Sequence, residues 1–158
     1  MSAHDFDFVF GEWAIHNRKI VDNTDPSCDE WIEFEATGHA EPVFGGLGHI
    51  DRMFVPTSAV VEGFEGLTLR QFDPGSEIWR IWWSSSRAPG RVDPPMEGVW
   101  SDGRGVFFGD DVVGGRDVKL RFIWTTDDAD RATWRQSFSW DDGTTFTENW
   151  VMEFSRVS

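Results

Sequence analysis

The chain has 158 residues, with 28 acidic against 14 basic side chains, a formal net charge of −14 and an isoelectric point near 4.5. A surface this negative repels phosphate backbones and anionic lipid headgroups, so neither nucleic acid nor a membrane is expected as a partner. Ten tryptophans and 14 phenylalanines, without one tyrosine, exclude disorder and call for a large aromatic core or a ligand cavity walled with rings. Cys28 stands alone, which leaves no partner for an intrachain disulfide and no cysteine-based zinc site. The opening MSAHDFDFVFGEW has no basic segment followed by an apolar one, and no apolar run approaches a membrane span. Residues 1–158 are expected to form one domain, located in the cytoplasm.

In chain order, Asp5 to Phe10 reads as a helical turn or plug leading into the first strand, Trp13 to Val21. Asn23, Pro26 and Ser27 mark a loop, and Glu30 to Ala40 alternates as a second strand. Gly45, Gly46 and Gly48 interrupt the pattern before His49 to Val55. A phosphate-cradling loop would need a helix after these glycines, and a strand follows, so they predict a bend. Ala59 to Phe72 gives one or two strands, with Gly63 and Gly66 as bulges or bends. After the Asp73-Pro74-Gly75-Ser76 turn, Ile78 to Ser85 carries Trp79, Ile81 and Trp83 on one face, which turns Trp82 outward toward a covering surface.

Residues 87–95 form the longest irregular connection. Met96 to Ser101 and Arg104 to Asp110 flank Asp102-Gly103, and a two-residue turn there sets Trp100 opposite Gly105 and Gly98 opposite Phe107. Val118 to Trp124 follows, and a hairpin from Arg131 to Arg156 turning at Asp141-Asp142-Gly143 ends the chain. No amphipathic helix and no crossover long enough for parallel strands is present. The expectation is an all-β fold: an antiparallel, up-and-down barrel of about ten strands with a short N-terminal helical turn. Such a barrel is wider than its own side chains fill and leaves a central cavity.

The last hairpin carries the densest pattern. Trp134, Gln136, Phe138 and Trp140 share one face of its first arm, and Phe146, Glu148, Trp150, Met152 and Phe154 one face of its second. A four-residue turn sets Gln136 opposite Trp150 and Phe138 opposite Glu148, with Gln136 diagonal to Glu148. Two facing polar groups on an aromatic face describe either a self-satisfied core pair or a ligand pocket, and the pattern is compatible with both.

Gly11-Glu12-Trp13 on the first strand and Arg156 at the end of the last resemble the calycin superfamily, where a G-x-W tryptophan plugs the closed end beneath a terminal arginine. The chain as a whole resembles a bacterial family of calycin-like proteins of unknown function. The matching pieces are F-D-F-x-x-G-x-W (Phe6 to Trp13), Gly45-Gly46 with Gly48 before Asp51, and W-x-Q-x-F-S…N-W-x-M-x-F-x-R (Trp134 to Arg156). The resemblance implies a lipocalin-like barrel and a homodimer, and it carries no catalytic residue. Nitrobindin, a related barrel, holds haem through a late histidine. The histidines here are His4, His16, His39 and His49, so no haem or other cofactor is expected.

The expected function is binding of a small hydrophobic or aromatic molecule. The expected ligand contacts are Trp134, Gln136, Phe138, Glu148 and Trp150 on the last hairpin, with Trp83, Phe107, Phe122 and Trp124 from other strands. The alternative is a cavity enzyme of isomerase, cyclase or hydratase type, with Glu148 or His49 moving a proton. His49 and Asp51 share a face. A surface pair is the preferred reading, while an inward pair would let Asp51 orient the imidazole. No metal site is expected, because no histidines show a ligand spacing. Arg80 and Arg121 are expected outside, in salt bridges.

Overall fold

The computed structural model describes residues 2–158. Ten strands run in sequence: β1 (Gly11–Ile20), β2 (Trp31–Val43), β3 (Gly48–Val55), β4 (Phe64–Asp73), β5 (Ile78–Ser85), β6 (Met96–Ser101), β7 (Arg104–Val113), β8 (Arg116–Asp128), β9 (Arg131–Ser139) and β10 (Thr147–Arg156). Each pairs antiparallel with the next, and β10 returns to β1, so the sheet closes into the up-and-down barrel that the strand spacing predicts. Closure leaves no edge strand among the described residues, every strand having a neighbour on both sides. Among the described residues the helical content is two single 3-10 turns, Asp7–Val9 at the predicted place and Phe44–Gly46 at the glycine bend.

The β6–β7 register places Trp100 opposite Gly105 and Gly98 opposite Phe107, as the Asp-Gly turn dictates. Gly66 differs from expectation. It sits in β4 with unbroken register on both sides, and a Cβ there would lie 2.0 Å from the Trp83 ring. Its role is to give the indole room, not to bend the strand. Residues 56–63 are a loop, so the stretch from Ala59 holds a single strand.

Alternation of strand direction sends both termini and the β2–β3, β4–β5, β6–β7 and β8–β9 turns to one end of the barrel, here called the floor. The other five connections ring the mouth. The floor is filled by the N-terminal segment. Phe6 is fully buried, with ring centroids 5.0 Å from Trp79, 5.1 Å from Trp100 and 5.7 Å from Phe107. The Trp13 indole donates to the Val9 carbonyl at 2.8 Å. The Arg156 guanidinium lies 4.3 Å over the Trp13 ring and donates to the carbonyls of Phe10 (2.6 Å) and Phe8 (2.7 Å), tying the last strand to the plug. Gly11 takes a φ of 108°, and a Cβ there would meet the Ser158 carbonyl oxygen at 2.6 Å.

Outside, Trp82 stands in one row with Leu69 and Ile50 across β5, β4 and β3. Arg80 faces out to Asp73 and Glu97, and Arg121 packs over the Phe146 ring at 4.6 Å. The shortest seam is β5–β6, three register pairs near the floor. Above it the 86–95 connection covers the wall, held by Asp93 N donating to the Trp83 carbonyl at 2.8 Å.

Candidate functional site

Above the plug the barrel encloses a cavity of about 330 Å³ reaching to the mouth loops. That volume falls within the roughly 300–1,000 Å³ range of small-molecule sites. Seven rings wall it: Trp83, Phe122, Trp124, Trp134, Phe138, Trp150 and Phe154. They pack edge-on, with Trp134 and Trp150 at 5.5 Å and 85°, and Phe122 and Trp134 at 5.0 Å. The Trp150 indole is fixed by donating to Asn17 Oδ1 at 2.9 Å, a buried asparagine reached across the β1–β10 seam. Gln136 lines the cavity and donates to Asn149 Oδ1 at 3.0 Å.

Two of the expected ligand contacts lie elsewhere. Phe107 is fully buried in the floor against Phe6, below the cavity. Glu148 faces outward, where Arg135 Nη1 holds both its oxygens at 3.1 and 3.2 Å. The cause is a bulge. Ser137 pairs with Glu148 and Gln136 with Trp150, so Asn149 is an extra residue on β10. Beyond the bulge the register is the predicted one; before it every side chain changes face, and Phe138 meets Thr147 rather than Glu148. The connection that feeds this register is organised by Asp141, whose carboxylate accepts from Ser139 Oγ, Thr145 N and Thr145 Oγ1. These bonds hold its pKa down to about 2.

His49 and Asp51 point inward, contrary to the preferred surface reading, and they do not pair with each other. Asp51 lines the cavity and accepts from Arg70 Nη2 at 2.6 Å. Arg70 is 3% exposed, its guanidinium 5.0 Å over Phe6 and 5.4 Å over Trp124, and its Nε and Nη1 have no hydrogen-bond partner. His49 lies below, within the floor, 4.8 Å from Phe10 and 5.1 Å from Trp79, with neither ring nitrogen bonded. His16 bonds Glu33 and Glu35 on the outer face. Among the described residues, no group of three or more histidine, cysteine, aspartate or glutamate side chains is arranged to hold a metal ion.

Burial, with the nearby Arg70 charge, lowers the His49 pKa from 6.5 to about 4. The unfolded chain therefore takes the proton first as pH falls. Stability is expected to drop between pH 6.5 and about 4, by about 3 kcal/mol in all. That window belongs to His49. His16 has a raised pKa, so its contribution is complete below 6.5 and is lost only as pH rises through its folded value. Asp73 and Asp141, held near 2, lose theirs only below the ordinary 3.8. His49→Leu is expected to flatten the slope, and urea unfolding of both proteins near neutral pH and near pH 4 checks this.

Fold and site together define the class: a closed antiparallel barrel with a plugged floor and a ring-walled cavity open toward its mouth. Comparison of the chain with protein-family models gives no match, and no curated protein matches it.

Proposed function

We propose that this is a calycin-like binding protein that holds a small hydrophobic or aromatic molecule inside the barrel. The observation that carries the reading is the seven-ring wall around a cavity of about 330 Å³. Apolar surface so placed gains roughly 25 cal/mol per Å² when a ligand removes it from water. The rings are held by edge contacts and by the Trp150–Asn17 bond, so the site is preformed.

Simple burial is favoured over proton transfer by where the titratable groups lie. Glu148 is outside, His49 is in the floor with rings on several sides, and Asp51, which lines the cavity, is held by Arg70. Titrating the protein with naphthamide, a neutral aromatic probe, is expected to quench tryptophan fluorescence saturably with one site per chain. Glu148→Gln is expected to leave the curve unchanged. Thr68→Phe, which adds a ring at a buried cavity-lining position, is expected to abolish it. Binding that survives Thr68→Phe would place the probe elsewhere and overturn the reading.

A further inference from the structure

Resting on that reading, we propose that the ligand is an amphipathic anion, a ring-bearing carboxylate or sulfonate that enters rings first and leaves its charge at the mouth between Lys19 and Arg87. The charged groups lining the cavity sort into three sets. At the floor, Arg70 and Asp51 close on each other. At the mouth, Asp93 and Asp111 are both taken by Arg91, at 3.0 and 2.9 Å, and Asp110 is held by Lys119 at 2.8 Å. Lys19 and Arg87 are left, and neither forms an ion pair among the described residues.

Both are held in place by apolar neighbours instead. Lys19 points inward from the end of β1, its ammonium 5.4 Å from the Trp150 ring centre, with one hydrogen bond, to the Ile20 carbonyl at 3.4 Å. Arg87, on the connection over the short β5–β6 seam, lays its guanidinium 3.6 Å over Phe64. Burial lowers the pKa of each, and the Arg87 charge lowers that of Lys19 further. Asp22, an acid on the adjoining loop whose charge partly opposes that lowering, accepts at Oδ1 from the Thr24 backbone N–H and hydroxyl and forms no ion pair with Lys19.

In a chain of net charge −14, the mouth of the cavity thus carries two cations that no carboxylate bridges among the described residues. An anionic group between them supplies charge-assisted hydrogen bonds, while the rings below take the apolar body. The opposite orientation would bury the anion beside Arg70, whose charge Asp51 already offsets.

The test pairs naphthoate with the isosteric, neutral naphthamide, titrated into wild type and into the Lys19→Met/Arg87→Met double variant. Wild type is expected to bind naphthoate on the order of tenfold or more tightly than naphthamide. The double variant is expected to lose that preference while keeping its naphthamide affinity, which shows that the cavity is intact. Equal affinities in wild type would overturn the anion while leaving the cavity reading in place. A preference that survives in the double variant would overturn the mouth assignment. Binding of neither probe would overturn the cavity reading itself.

Discussion

Asp51→Ala is expected to lower the free energy of unfolding by about 3–5 kcal/mol, the cost of stranding a buried charge. The guanidinium of Arg70 is 3% exposed, and Asp51 is its one hydrogen-bond acceptor among the described residues. Arginine cannot shed its proton, so it has no neutral form to fall back on when the carboxylate is removed. The faces of Phe6 and Trp124, 5.0 and 5.4 Å away, offset part of the loss, and a cation–ring contact contributes roughly 0.5–2 kcal/mol. Removing both charges is a different matter, because buried ion pairs replaced by apolar groups are often neutral in stability. Asp51→Ala/Arg70→Leu is therefore expected to recover most of the loss. Urea unfolding of the two variants measures this. A single variant within about 1 kcal/mol of wild type would show that Arg70 reaches water, and that the floor is looser than described.

Phe6→Ala is expected to cost about 3–5 kcal/mol as well, as for other fully buried phenylalanines, and to couple with Asp51→Ala through the Arg70 guanidinium over its ring. Its ring is wholly enclosed by the edges and faces of Trp79, Trp100, Phe107 and Trp124, with the Arg70 guanidinium above it. Those partners belong to β5, β6, β7 and β8, whose backbone pairing resists collapse into the gap. The plug is also tied at its far end by Arg156 and Trp13, so the segment stays in place around the missing ring. The midpoint of urea unfolding is expected to fall with its slope unchanged. A loss below about 1 kcal/mol would mean that the N-terminal segment is not part of the folded floor.

The barrel was legible because strand alternation and turn chemistry are local. Asp102-Gly103 alone fixes which residues of β6 and β7 face each other, and the sequence carries both. The site was less legible, for two physical reasons. One extra residue, Asn149, reverses the faces of everything before it on β10, and nothing in the alternation of Phe146, Glu148 and Trp150 marks where the register slips. In β4 the usual polarity is inverted: Leu67 and Leu69 face outward while Thr68 and Arg70 are buried. Hydropathy parity therefore points Arg70 the wrong way. The signal was in Gly66, which shares the buried parity and makes room for the Trp83 ring from the next strand. Lys19 and Arg87 carry no sequence mark at all, because their lack of partners is a property of the assembled mouth.

The central claim, that the molecule works by enclosing a ring-bearing ligand within its strands, is tested most directly by the ten indole N–H signals in a heteronuclear NMR titration with naphthamide. Shifts are expected to concentrate in the cavity-lining Trp83, Trp124, Trp134 and Trp150. The signals of Trp31, Trp82 and Trp140 are expected to stay still. Shifts confined to those three, with the lining indoles unmoved, would contradict it.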